Sequence, residues 1–147
     1  MTDTDTTRTF TSRAPVRTEG DSPCGIAHAR DVTRAFVGGL DPAPAAETVE
    51  TLVLVVSELT TNALRHGGGR YTLELTATAD ALDAAVSDPD PAPPRERTPD
   101  LDGGTGGFGW PMVRRLTSRV SVTTVPGRGK TVHARLPRRT RAGDSLG

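Results

Sequence analysis

The run from Glu47 to His66 places apolar side chains at helical spacing over its whole length, so any fold of this chain has to accommodate one long buried helix. Val49, Leu52, Val53, Val56, Leu59 and Ala63 form its core-facing stripe. On the polar side, Glu58 and Asn62 are four residues apart and stack along one ridge, with His66 one turn further on. A carboxylate and an amide oxygen held that way can offer a base and a metal-ligating oxygen to a single ligand. The same pair also occurs on ordinary solvated helix surfaces, so its meaning depends on what surrounds it.

Upstream, Met1 to Thr7 is polar, Arg8 to Ser12 alternates weakly as a short strand, and Pro15 to Asp21 reads as loop. Ser22-Pro23 has the form of an N-cap followed by proline at the first helical position. Ile26, Ala29, Thr33, Phe36, Val37 and Leu40 then mark the inner face of a first helix, which ends at Gly38-Gly39 before the Asp41-Pro42-Ala43-Pro44 turn.

Downstream, Gly67-Gly68-Gly69 stops the long helix and lets the backbone reverse. Tyr71, Leu73, Leu75 and Ala77 alternate with polar residues as a half-buried strand, and Leu82, Ala84 and Val86 carry a second strand to Ser87-Asp88. Between Pro89 and Gly107 the composition changes to five prolines, four glycines and six charged residues around one large aliphatic, Leu101. Such a stretch builds no core element, and a loop this long in a compact domain is usually functional. A third helix is expected from Trp110 to Ser118 with Pro111 in its first turn, followed by strands at Val120 to Val125 and Thr131 to Leu136. Helices bunched against hairpin-linked strands give an α+β chain, a two-layer α/β sandwich with a mostly antiparallel mixed sheet and three helices on one face. The expected domain is 9–137 with a lid at 89–107, flanked by tails at 1–8 and 138–147.

Eighteen basic and eighteen acidic residues cancel, so no overall field draws the chain to nucleic acid or an anionic membrane. Aromatic content of 3% leaves little for base stacking. Cys24 is the single cysteine, which excludes an internal disulfide and a cysteine zinc cluster; its expected place is a small apolar site near a helix start. The longest aliphatic run, Leu52 to Val56, is too short to cross a bilayer, and the first residues lack the apolar core of a secretory signal. A cytoplasmic location is the expectation.

Two glycine motifs fail on context. Gly104-Thr-Gly106-Gly-Phe-Gly109 fits G-x-G-x-x-G, but a Pro-rich loop precedes it and no acid occurs from Arg119 to Arg139, which rules out a dinucleotide fingerprint. Gly129-Lys130-Thr131 ends like a phosphate-binding loop, yet Thr124 stands where glycine is required. What remains is a glycine-rich segment running into a helix start, an arrangement that suits phosphate but is equally that of a loop whose glycines only permit turns.

In order and spacing these pieces resemble the GHKL ATPase superfamily, and within it the bacterial anti-sigma-factor serine/threonine kinases, over roughly Ala27 to Pro137. Glu58-x-x-x-Asn62-Ala63 with His66 resembles that family's N-box. The resemblance implies a Bergerat-type ATP-binding fold, Mg²⁺ on Asn62, and Glu58 as the catalytic base that takes a substrate hydroxyl's proton or orients a water. It implies that His66 lies near the phosphates, that Asp88 bonds the adenine amino group, and that Gly107-Phe-Gly109 cradles phosphate. It also implies that Thr131, in Gly129-Lys130-Thr131, completes the adenine end. The family's D-x-G-x-G pattern is broken here, since Asp88 is followed by Pro89-Asp90-Pro91-Ala92. Stiff prolines replace a permissive turn. Lys130 and Arg128 read as exposed hairpin cations, which either add to the phosphate charge balance or, as such cations usually do, serve nothing specific.

The resemblance implies an ATP- and Mg²⁺-dependent kinase of a small protein antagonist, with a sigma factor as second partner and homodimerisation left open. The competing class is a docking module that sequesters a regulator and holds ATP weakly or not at all. The lost glycines favour it, while the intact Glu58/Asn62 pair opposes it. A sensor histidine kinase is disfavoured, because no helical hairpin with a phospho-acceptor histidine precedes the domain.

Overall fold

A computed structural model of the chain describes residues 14–92 and 106–139, with side chains from 110 onward in the second segment. The elements run β1 (Val16–Gly20), α1 (Cys24–Gly38), α2 (Ala46–His66), β2 (Tyr71–Ala77), β3 (Ala81–Asp88), α3 (Gly106–Leu116), β4 (Arg119–Val125) and β5 (Gly129–Pro137). The strands form one five-stranded sheet in the order β1-β2-β3-β5-β4, antiparallel at every pairing. The helices cover one face, giving the expected two-layer α+β architecture. No helix among the described residues is long and apolar enough to cross a membrane.

The period of two decides which side chains meet the helices. Leu73, Leu75 and Ala77 of β2 stand opposite Val86, Ala84 and Leu82 of β3, and these in turn oppose Val132, Ala134 and Leu136 of β5. All nine are buried. Helix α2 lies across them between α1 and α3, with Leu52, Val55 and Val56 fully enclosed. The predicted stripe holds, with Val49 only partly covered; Val55, Thr48 and Thr60 are buried as well. The Thr33 and Thr60 hydroxyls donate back to the Ala29 and Val56 carbonyls, so neither is unsatisfied in the core.

Three local expectations change in the N-terminal part of the chain. Val16–Gly20 is an edge strand where a loop was read, because pairing from Val16–Leu75 to Gly20–Tyr71 overrides a segment with one aliphatic residue. The strand read at Arg8 to Ser12 lies outside the described residues. Pro23 is itself the N-cap of α1 and no side chain caps that end; Ser22 accepts the Gly25 N–H through its carbonyl instead. Cys24 is exposed, not packed.

Helix α3 begins four residues before Trp110 and contains Pro111 beyond its first turn, so the bond that residue would donate to the Gly107 carbonyl is lost. Its end comes at Leu116 because the Ser118 N–H is taken by the Arg135 carbonyl across the sheet. Arg138, read as the start of a tail, is buried. Its guanidinium donates to the Thr78 and Pro42 carbonyls at 2.8 and 3.2 Å, tying together the turns β2–β3 and α1–α2.

Candidate nucleotide site

The polar ridge of α2 is half-buried, not fully solvated. Glu58 and Asn62 are both partly covered. Burial pushes the Glu58 carboxyl above the usual carboxylate range, and the Arg65 cation two turns along the helix offsets only part of this. A carboxylate held that way is a stronger proton acceptor than an exposed one. His66, the last residue of α2, is exposed.

At the foot of α2 the chain turns on its glycines. The Gly67 and Gly69 N–H groups both donate to the Ala63 carbonyl, at 3.0 and 3.2 Å. Gly67 then lies directly against the Asp88 side chain at the end of β3. A Cβ on Gly67 would stand 2.5 Å from the Asp88 Cγ and Oδ2, so only glycine lets the helix end approach that carboxylate. Along the helix axis Asn62 is roughly 7 Å above Gly67, and Glu58 another 6 Å or so beyond it.

Asp88 is buried, and its place in the sheet sets its partner. Lys130 is directly opposite on β5, also buried, with its Nζ 3.0 Å from the Asp88 Oδ1. The same ammonium donates to the Asp90 carbonyl at 3.0 Å. Oδ1 further accepts the Asp90 N–H at 2.9 Å, and the Asp90 Oδ1 accepts the Ala92 N–H at 2.9 Å. Two successive side-chain turns therefore carry the chain through Asp88-Pro89-Asp90-Pro91, with each proline at a position whose fixed φ suits the bend. Burial pushes the Asp88 carboxyl up, and the Lys130 and Asp90 hydrogen bonds recover only part of the shift. On the outer side Gly129, at φ +103°, backs onto the Asp88 carbonyl and Pro89, where any Cβ would collide with backbone.

The sequence reading of Lys130 as an exposed hairpin cation is therefore corrected. Its burial was legible in the alternation Lys130, Val132, Ala134, Leu136, which puts the lysine on the apolar face of β5. Thr131 necessarily points the other way. Its hydroxyl shares a 2.8 Å hydrogen bond with Ser87 on the open face of the sheet, so the structure does not bring it together with the Asp88 carboxylate. Gly107 and Gly109 lie within the first turns of α3, which packs against α2. Most of the lid span, residues 93–105, lies outside the described residues.

Among the described residues no three His, Cys, Asp or Glu side chains converge as a metal site. That donor set still fits Mg²⁺ in one particular way. Mg²⁺ commonly takes one or two protein oxygens and draws the rest from phosphates and water, and a single Asn62 amide oxygen beside Glu58 matches that requirement.

A family model described as the histidine kinase-like ATPase domain matches residues 23–136. No curated protein matches the chain. Among solved structures, the crystal structure of the RsbU and RsbW domains of a Mycobacterium tuberculosis protein is similar at a TM-score of 0.63 and 18% identity. The match covers 88% of this chain and 34% of that one, so this chain spans about a third of its neighbour's length. That likeness concerns the fold. The family match takes in α1 through nearly all of β5, including Glu58, Asn62, Asp88 and Lys130. The chain belongs to the histidine kinase-like ATPase domain family.

Proposed function

We propose that this chain is an ATP- and Mg²⁺-dependent serine/threonine kinase of the anti-sigma-factor type, acting on a small protein antagonist. The observation that carries the reading is the half-buried Glu58/Asn62 pair, one i,i+4 step apart on a helix whose glycine-flanked foot meets Asp88. In this reading Asn62 holds Mg²⁺ through its amide oxygen, and the metal neutralises phosphate charge when bound. Glu58 accepts the proton of the attacking hydroxyl, a role favoured by the desolvation that raises its proton affinity. Asp88 receives a base amino group, and the N-terminal turns of α3 present backbone N–H groups to phosphate. His66, which the family resemblance puts near the phosphates, stands at the foot of α2 next to Gly67, at the Asp88 end.

The setting in this reading is partner switching between a protein substrate and a sigma factor, as the sequence resemblance implies. The test is transfer of the γ-phosphate of labelled ATP to a protein serine or threonine, with Mg²⁺ required. The proposal expects transfer by the unmodified chain and at least a hundredfold loss in Glu58→Gln, a typical contribution from a positioned base. Equal transfer rates in the two proteins would remove Glu58 from the chemistry. A docking module that binds nucleotide weakly is the second reading, and the Lys130 contact on Asp88 is the observation that favours it.

A further inference from the structure

The Asp88 carboxylate is the point at which the proposed nucleotide reading places a base amino group, yet the fold already supplies that carboxylate with a partner. Oδ1 accepts both the Lys130 ammonium and the Asp90 N–H, at 3.0 and 2.9 Å. The Oδ2 side rests against Gly67, so close that no Cβ fits between them. The two paired side chains are only 5% and 6% exposed. Lys130 is held at two points, because its ammonium also donates to the Asp90 carbonyl. Its position is set by the sheet register, which puts it directly across from Asp88.

From these contacts we propose that Lys130 is an internal occupant of the base-binding carboxylate, so that a purine nucleotide enters by displacing the lysine ammonium from Asp88. The inference rests on the nucleotide reading of this site and concerns how its access is regulated. An amino group on a base and the lysine ammonium are both donors that seek the same acceptor; an Oδ1 that already accepts two hydrogen bonds takes no third donor while the lysine stays, and Gly67 narrows the approach to Oδ2. Exchange has a cost. The buried ammonium must give up a charge-assisted bond, and the Asp88-Pro89-Asp90 bend that it pins must yield with it. Access to the base end is thereby coupled to the conformation of the chain leaving β3. The hydrogen bonds of the two successive turns make that bend a defined element with a definite alternative to give up.

The experiment compares Mg²⁺-ATP affinity of the unmodified chain, Lys130→Met and Arg135→Met. Methionine keeps most of the lysine stem and removes the competing ammonium. Arg135 supplies the same charge change on the opposite face, where it pairs with Asp83. Losing a cation should by itself weaken binding of a polyanion, so the sign is diagnostic. Exchange predicts that Lys130→Met binds ATP about tenfold more tightly, and that Arg135→Met shows no such gain. Equal or weaker binding by Lys130→Met, with ATP still bound by the unmodified chain, overturns the exchange and leaves the nucleotide site standing. Absence of ATP binding in all three proteins overturns both.

A second measurement needs no variant and so does not depend on Lys130→Met folding. The side-chain ¹⁵N resonance of Lys130 is followed in the unmodified protein as ATP is added. Exchange predicts that the protected ammonium signal shifts and loses its protection at saturation. A signal unchanged at saturating ATP contradicts it.

Discussion

Lys130 and Asp88 face each other across neighbouring strands at the end of the sheet, with Nζ 3.0 Å from Oδ1 and both side chains almost completely buried. A pair so placed is sensitive to losing one member, because the survivor stays desolvated and uncompensated. Asp88→Ala is therefore expected to destabilise the chain by about 3–5 kcal/mol. Adding Lys130→Met to it should recover a good part of that loss. Chemical denaturation of the single and double variants checks this, and an additive double variant would mean that the two groups are not coupled.

The exposed pair between α1 and α2 offers the contrast. Arg34 donates to both Glu50 carboxylate oxygens, at 2.8 and 3.2 Å, but the two side chains are 50% and 63% exposed. Water and salt screen such a bridge. Glu50→Gln should leave the melting temperature where it is at physiological ionic strength, whereas a large drop would give this bridge a structural role.

Gly129 holds the outer wall of the Asp88 turn. Its φ of +103° and its backbone contact with Asp88 and Pro89 leave no place for a side chain. Gly129→Ala should cost about 1–3 kcal/mol from the backbone conformation alone. It should also disturb the Lys130 pairing next to it, seen as a shift of the Lys130 side-chain resonance. A variant as stable as the parent would show that the turn relaxes freely.

Glu58 links stability to function through pH. Burial raises its folded pKa above the unfolded value of about 4.3. Its contribution is therefore complete below that value, where both states are protonated, and is lost as pH rises through the folded pKa. Glu58→Gln stays neutral throughout. The variant should gain stability relative to the parent as pH rises from about 4 through the folded pKa, then hold a constant gap, while losing phosphotransfer. Melting temperatures across that range test it, and a flat difference would mean that the carboxylate is not desolvated in the fold.

Much of this architecture was legible in the sequence because its signals are periodic. The long helix, β2 and β3 carry their burial in their spacing, and the structure keeps those boundaries within a residue or so. Where the segment's own pattern is weak, tertiary pairing decides. Val16–Gly20 becomes a strand because β2 has an edge to satisfy, and Ser118 leaves α3 because the Arg135 carbonyl claims its N–H. The site divides in the same way. Glu58 and Asn62 announced themselves by spacing, but the partner of Asp88 depended on a strand register that joins residues 42 positions apart. Alternation along β5 put Lys130 on the core side; the hairpin beside it drew the reading toward solvent. Arg138 continues the same alternation one step past the end of β5, but the carbonyls it serves belong to two distant turns and left no local mark.

The measurement that bears most directly on the central claim is calorimetric titration with ATP, with and without Mg²⁺, of the unmodified chain and of Asn62→Ala. The half-buried Asn62 sits on the helix surface beside Glu58, so its truncation should leave the fold intact, as a thermal melt will show. The account predicts Mg²⁺-dependent ATP binding by the unmodified chain and a loss of at least tenfold in affinity in the variant. Equal affinity in the two proteins would remove the metal from Asn62, and no heat of binding in either would contradict the nucleotide site itself.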